Sequence, residues 1–137
     1  MSTDANRPVV RIAAAVLRDG EGRFLLVRKR GTTAFMQAGG KIEAGEAPLA
    51  ALRRELLEEL GLVLDPAAAQ HLGCFRAEAA NEPGHVVEAE LFDARVSAPV
   101  TPAAEIAEIM WLRPTDPLRP PLAPLTEQHV LPMAALD

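Results

Sequence analysis

The stretch from Pro48 to Gly61, PLAALRRELLEELG, constrains this chain more than any other. Leu49, Leu52, Leu56 and Leu60 recur at spacings of 3, 4 and 4. That spacing predicts an amphipathic helix with an apolar stripe turned to a core. Pro48 suits the first turn, where its missing N–H is not needed. Gly61 supplies the left-handed cap that ends it. Glu55, Glu58 and Glu59 stand at i, i+3 and i+4. At about 100° per residue they fill an arc of about 100°, centred away from the leucines. Like charges so close are unfavourable unless a cation sits among them, and a divalent metal is the simplest one. A glutamate-rich face alone is more often a solvated surface. Its meaning depends on what stands around it.

The flanking sequence reads as strands. Residues 8–18 (PVVRIAAAVLR) are apolar and partly β-branched, as a buried strand requires. Asp19-Gly20-Glu21-Gly22 is a turn signal, and Arg23 to Arg30 is the next strand. The two are expected to pair as a hairpin. Phe35 to Ala38 forms a short extended piece that Gly39-Gly40 is expected to end. After the helix, Asp65 to Ala69 is a loop or short turn. Strands are expected at His71–Ala77, Val86–Val96 and Ile106–Leu112. Residues 113–124 are too rich in proline for a helix or central strand. Leu125 to Leu136 closes the chain as a short helix. The order β-β-β-α-β-β-β-α points to an α/β sandwich with a mixed sheet, in a single domain over residues 1–137.

Composition narrows the partners. Half the 137 residues are apolar (49%), and the net charge is −5. A net-negative surface repels polyanions, so no nucleic-acid polymer is expected as a partner. A phosphate-bearing substrate would need local cations. The single cysteine, Cys74, can form no internal disulfide and reads as a small buried residue. His71, His85 and His129 have no ligand-like spacing. The N-terminus MSTDANRPVV has no basic region followed by a long apolar run, and no apolar run is long enough to span a bilayer. A cytoplasmic location without membrane association is the expectation.

Gly40, five residues, Glu46, seven residues, then Arg54-Glu55-Leu56-x-Glu58-Glu59-x-Gly61-Leu62 resembles the Nudix box. Every fixed position of that signature is present across residues 40–62. This many fixed offsets are far more specific than a lone glycine-rich loop.

The resemblance implies a Nudix-type α/β/α sandwich that hydrolyses a nucleoside diphosphate linked to another moiety, with magnesium or manganese as cofactor. Glu55, Glu58 and Glu59 would be metal ligands, joined by the carbonyl oxygen of Gly39. Glu55 or Glu58 would orient or deprotonate the attacking water. Glu105 and Glu108 are candidates for a further carboxylate from a later loop. Gly40, Glu46, Arg54 and Gly61 would support the site, with Arg54 pairing with Glu46 across the loop–helix junction. The residue types suit the chemistry. Hard cations prefer carboxylate oxygen, and a pyrophosphate needs its charge offset before an oxygen nucleophile can approach. Many relatives carry proline where this chain has Ala38, which loosens the substrate-facing loop.

Weaker substrate-binding candidates are Arg28, Lys41 and Phe35: two cations for the phosphates and one ring for the base. Arg28 begins a run of three cations with Lys29 and Arg30. Phe75 is a second ring candidate, and Trp111 reads as core. The favoured substrates are oxidised or non-standard nucleoside triphosphates. Alternatives are a nucleoside diphosphate sugar such as ADP-ribose, or a catalytically silent module that senses a nucleotide. A homodimer is common among similar proteins.

Overall fold

The computed structural model describes residues 7–97 and 99–134. β1 (Val9–Arg18), β2 (Phe24–Lys29) and β3 (Ala38–Lys41) precede helix α1 (Pro48–Leu60). β4 (Gln70–Glu78), β5 (Val86–Arg95) and β6 (Ile106–Leu112) follow it. A wide π-type turn over Thr126–Val130 then runs into the short helix α2 (Leu131–Ala134). The helix expected at the end of the chain is therefore present, and its last two residues lie outside the described ones. Among the described residues, no helix is long and apolar enough to cross a membrane.

One mixed six-stranded sheet runs β4-β5-β1-β2-β6, with β3 also paired to β1. The β1–β5 pair is parallel and in register from Val9↔Val86 to Arg18↔Arg95. The remaining pairs are antiparallel. The expected β1–β2 hairpin survives only at its turn. Asp19 Oδ1 accepts from the N–H groups of Glu21 and Arg23, and Arg18↔Phe24 is the one register pair. Further on the strands part, because β3 occupies the β1 edge from Ile12↔Lys41 to Ala15↔Ala38. Gly39 and Gly40 therefore lie inside a strand rather than ending one.

Alternation along β1 makes two core layers. Ala13, Ala15 and Leu17 face α1, where Leu52, Leu56 and Leu60 are fully buried. Ala14 and Val16 face the other way, onto Leu125, Val130 and Leu131. Helical layers thus cover both faces of the sheet, the sandwich expected from the order of elements. Cys74 departs from expectation. It is exposed, in register with Glu90 rather than packed in a core.

Candidate active site

The leucine stripe fixes the rotation of α1, and that rotation decides where each glutamate goes. Glu58 is exposed, Glu55 is half-buried and Glu59 is buried. The burial of Glu59 corrects the even polar arc expected from the sequence. Glu59 lies seven residues after Leu52, only about 20° away around the helix. One end of the acidic arc therefore borders the apolar stripe and is drawn beneath the sheet.

β3 meets this side of the helix. The backbone N–H of Gly39 donates to Glu59 Oε1 at 3.1 Å. A Cβ on Gly40 would lie 2.4 Å from the Glu55 carboxyl carbon. A Cβ on Gly39 would lie 2.1 Å from the Ala13 carbonyl oxygen, at a backbone φ of +147°. Both positions need glycine, for different reasons: Gly39 lets β3 close on β1, and Gly40 lets Glu55 approach the strand.

Arg54 ties the loop to the helix as the sequence suggested. Its Nε and Nη2 donate to the two carboxylate oxygens of Glu46 at 3.0 and 2.9 Å. Its Nη1 donates to Glu55 Oε1 at 2.8 Å, and Nη2 also reaches the Lys41 carbonyl at 3.1 Å. The planar guanidinium thus sets three anchors relative to Glu55. Arg54 holds the Glu46 carboxyl down at about 2. At the other end of the helix, Gly61 adopts φ 66° and donates to Leu57 O, while Leu62 N–H reaches Leu56 O. That is a Schellman-type stop.

The electrostatics fit a site built for a cation. Burial pushes the Glu59 carboxyl up to about 7, and the charges of Glu55 and Glu105 add to this. The Gly39 N–H and Lys29 oppose it. Burial and the charge of Glu58 also raise Glu55, against Arg54 and Lys29. Among the described residues, no three carboxylate, histidine or cysteine side chains converge as a ready metal cage. Glu59 is turned to Gly39 and Glu55 to Arg54. The donor chemistry nevertheless fits a hard divalent ion: three glutamates on one helix, two of them raised by burial and then by neighbouring carboxylates, beside a glycine-lined strand.

The loop before β6 brings one of the two late carboxylates close. Thr101 N–H donates to Leu60 O and Ala103 N–H to Glu59 O. Glu105 then sits 3.9 Å from Lys29 Nζ and is felt by Glu59. Glu108 instead pairs with Arg28 at 3.0 Å.

Beside these carboxylates opens a cleft of about 130 Å³. Lys29, Gly39, Gly40 and Lys41 line one side, and the Glu78–Glu82 segment and Ala123–Thr126 line the other. Lys41 reaches Glu82 at 3.3 Å. Arg28 donates to Glu108 and to the Thr32 carbonyl, while Lys29 lines the cleft. Strand alternation is the signal that separates them: Lys29 shares its face with Leu25 and Val27, toward α1. Phe35 is 7% exposed and packs in the core layer below, outside the cleft lining.

The NUDIX domain model matches residues 8–133. The chain belongs to the Nudix family. Over 62 residues this Nudix chain is 37% identical to an 8-oxo-dGTP diphosphatase of Haemophilus influenzae, covering 42% of this chain and 46% of that protein. Over 76 residues it is 42% identical to an RNA pyrophosphohydrolase of Halorhodospira halophila, covering 56% and 39%. The matches span less than half the length of these curated relatives. The crystal structure of a MutT Nudix hydrolase from Burkholderia pseudomallei superposes with a TM-score of 0.72, at 23% identity, over 92% of this chain and 95% of that one. That likeness is one of fold.

Proposed function

We propose that this Nudix domain is a divalent-metal-dependent pyrophosphohydrolase acting on a small nucleotide, favouring non-standard or oxidised nucleoside triphosphates. One observation carries the reading. Glu55 and Glu59 of one helix meet the glycine-lined strand β3, and that strand also borders a cleft carrying Lys29 and Lys41. The relatives named as diphosphatase and pyrophosphohydrolase support it.

In this reading Glu55, Glu58, Glu59 and the Gly39 carbonyl would hold magnesium or manganese. When bound, such an ion offsets phosphate charge and acidifies coordinated water. The protein's own groups do the rest. Water attacks a bridge phosphorus, the new P–O bond forms as the anhydride P–O bond breaks, and a nucleoside monophosphate leaves as one product. Glu55 takes the water's proton: burial raises its carboxyl above the usual range, and Arg54 orients it. Lys29 and Lys41, on the cleft wall, meet the phosphates.

The test is monophosphate release from a panel of nucleoside triphosphates, oxidised analogues and ADP-ribose. Each is assayed with magnesium, with manganese and with chelator. Metal-dependent turnover of a triphosphate is expected. Tight binding without turnover across the panel would make this a nucleotide sensor instead.

A further inference from the structure

Gln37 precedes β3 by one residue and turns away from α1, into the cleft lining. It is 5% exposed, and Thr126 beside it is fully buried. The Thr126 hydroxyl donates to Gln37 Oε1 at 2.6 Å. That bond engages the carboxamide oxygen and leaves Nε2 buried and unpaired in a residue that lines the cleft. Among the described residues, Gln37 Nε2 is the one buried side-chain polar atom without a hydrogen-bond partner. A buried, unpaired donor is costly, and folded proteins rarely keep one without a use. Around it the cleft wall is apolar: Ile12, Ala14, Val87, Ala123 and Leu125. An apolar wall with a few placed polar groups is how a protein grips an aromatic ligand and selects its edge. Thr126 opens the π-type turn, an irregularity that often marks functional positions.

We infer that Gln37, held by Thr126, is a specificity-determining residue that donates from Nε2 to a ring carbonyl of the substrate's base. This rests on the reading of the cleft as a nucleotide site, and it names the base class. An amide whose oxygen is already engaged offers only N–H groups. It therefore favours a base edge that presents an acceptor and disfavours one that presents an amino group or C–H. The apolar lining from Ile12 and Val87 to Ala123 and Leu125 suits the wide face of a bicyclic ring, so the preferred base is an oxopurine. The diphosphate would then extend past Gly39 and Gly40 toward the glutamates, along the strand that carries Gln37.

The experiment compares guanosine triphosphate with 2-aminopurine riboside triphosphate, which lacks the ring carbonyl. Wild type is expected to prefer the carbonyl base by about 10- to 100-fold in kcat/KM. Gln37→Met should abolish that preference and leave turnover of the 2-aminopurine substrate within about twofold. The double variant Gln37→Met/Thr126→Val should melt at or above the wild-type temperature, because a frustrated polar pair becomes apolar. Calorimetric binding of the two monophosphates should show the same preference and the same loss, whether or not turnover occurs. Failure of wild type to hydrolyse any nucleotide would sink the hydrolase reading, yet binding would still test Gln37. Discrimination retained in Gln37→Met would assign Nε2 to an internal water and overturn the inference. An equal loss on both substrates, or a double variant that melts well below wild type, would make the pair structural and overturn it too.

Discussion

The backbone N–H of Gly39 donates to the buried carboxylate of Glu59, and this bond joins the strand to the helix at the centre of the site. It is a weak support for a carboxyl that burial has already pushed up to about 7. An acid raised in the folded state binds more protons folded than unfolded between its ordinary value of 4.5 and about 7. The metal-free protein should therefore be most stable on the acid side of that window and lose stability as pH rises through it. The loss is on the order of 3 kcal/mol at most. Thermal melts in chelator between pH 5 and pH 8 check this. Glu59→Gln keeps the acceptor for Gly39 and should flatten the slope. A slope unchanged in that variant would acquit Glu59.

Below this window the sign reverses. Arg54 depresses Glu46, so the pair contributes stability that is present above 4.5 and lost as pH falls toward about 2. Arg54→Lys cannot reproduce the two parallel bonds to Glu46 while also holding Glu55. The expected outcome is a kcat/KM about 10- to 100-fold lower, with a modestly lower melting temperature at neutral pH that shrinks as pH falls below 4.5. A variant that melts early but turns over normally would show that Arg54 serves the fold alone.

Gly39 and Gly40 should fail in different ways when replaced by alanine. Gly39→Ala drives a methyl into the Ala13 carbonyl at an unfavourable φ, and should destabilise by about 3 kcal/mol or more. Gly40→Ala meets only the movable end of Glu55. It should fold nearly as well as wild type but lose about 100-fold in turnover as the carboxylate is displaced. Denaturant curves and kinetics on the same two variants separate the effects.

Glu55→Gln and Glu58→Gln each leave the leucine face untouched. Each should retain the wild-type melt while kcat falls by about 10²- to 10⁴-fold. Wild-type turnover in Glu58→Gln would remove that residue from the chemistry.

Much of this was readable before folding, and the rest has identifiable causes. The helix ran where its proline, leucine stripe and terminal glycine said it would, because each signal is local. β6 kept its expected bounds for the same reason. The hairpin was overstated because a turn signal cannot report that a third strand competes for the same edge. Gly39 and Gly40 looked like a strand end because glycine usually breaks strands. Here tertiary closeness to Ala13 and Glu55 demands it. Helical spacing groups three glutamates on one face, yet Glu59 borders Leu52 and is buried with it. Lys29, rather than Arg28, could have been singled out by alternation from Val27. The Gln37–Thr126 pair joins residues 89 positions apart, and no periodicity reveals it.

The loop that carries Glu105 is fastened to α1 through backbone atoms, Thr101 to Leu60 and Ala103 to Glu59. Any residue but proline can supply the two N–H groups, and Ala104, at φ 53°, is a position that suits glycine or asparagine. An exchange of residues 101–105 could therefore add, remove or reposition an acidic group without rewriting the helix beneath it. The late carboxylate is in that sense a replaceable fitting, and evolution or a designer could retune the site by grafting a single short segment.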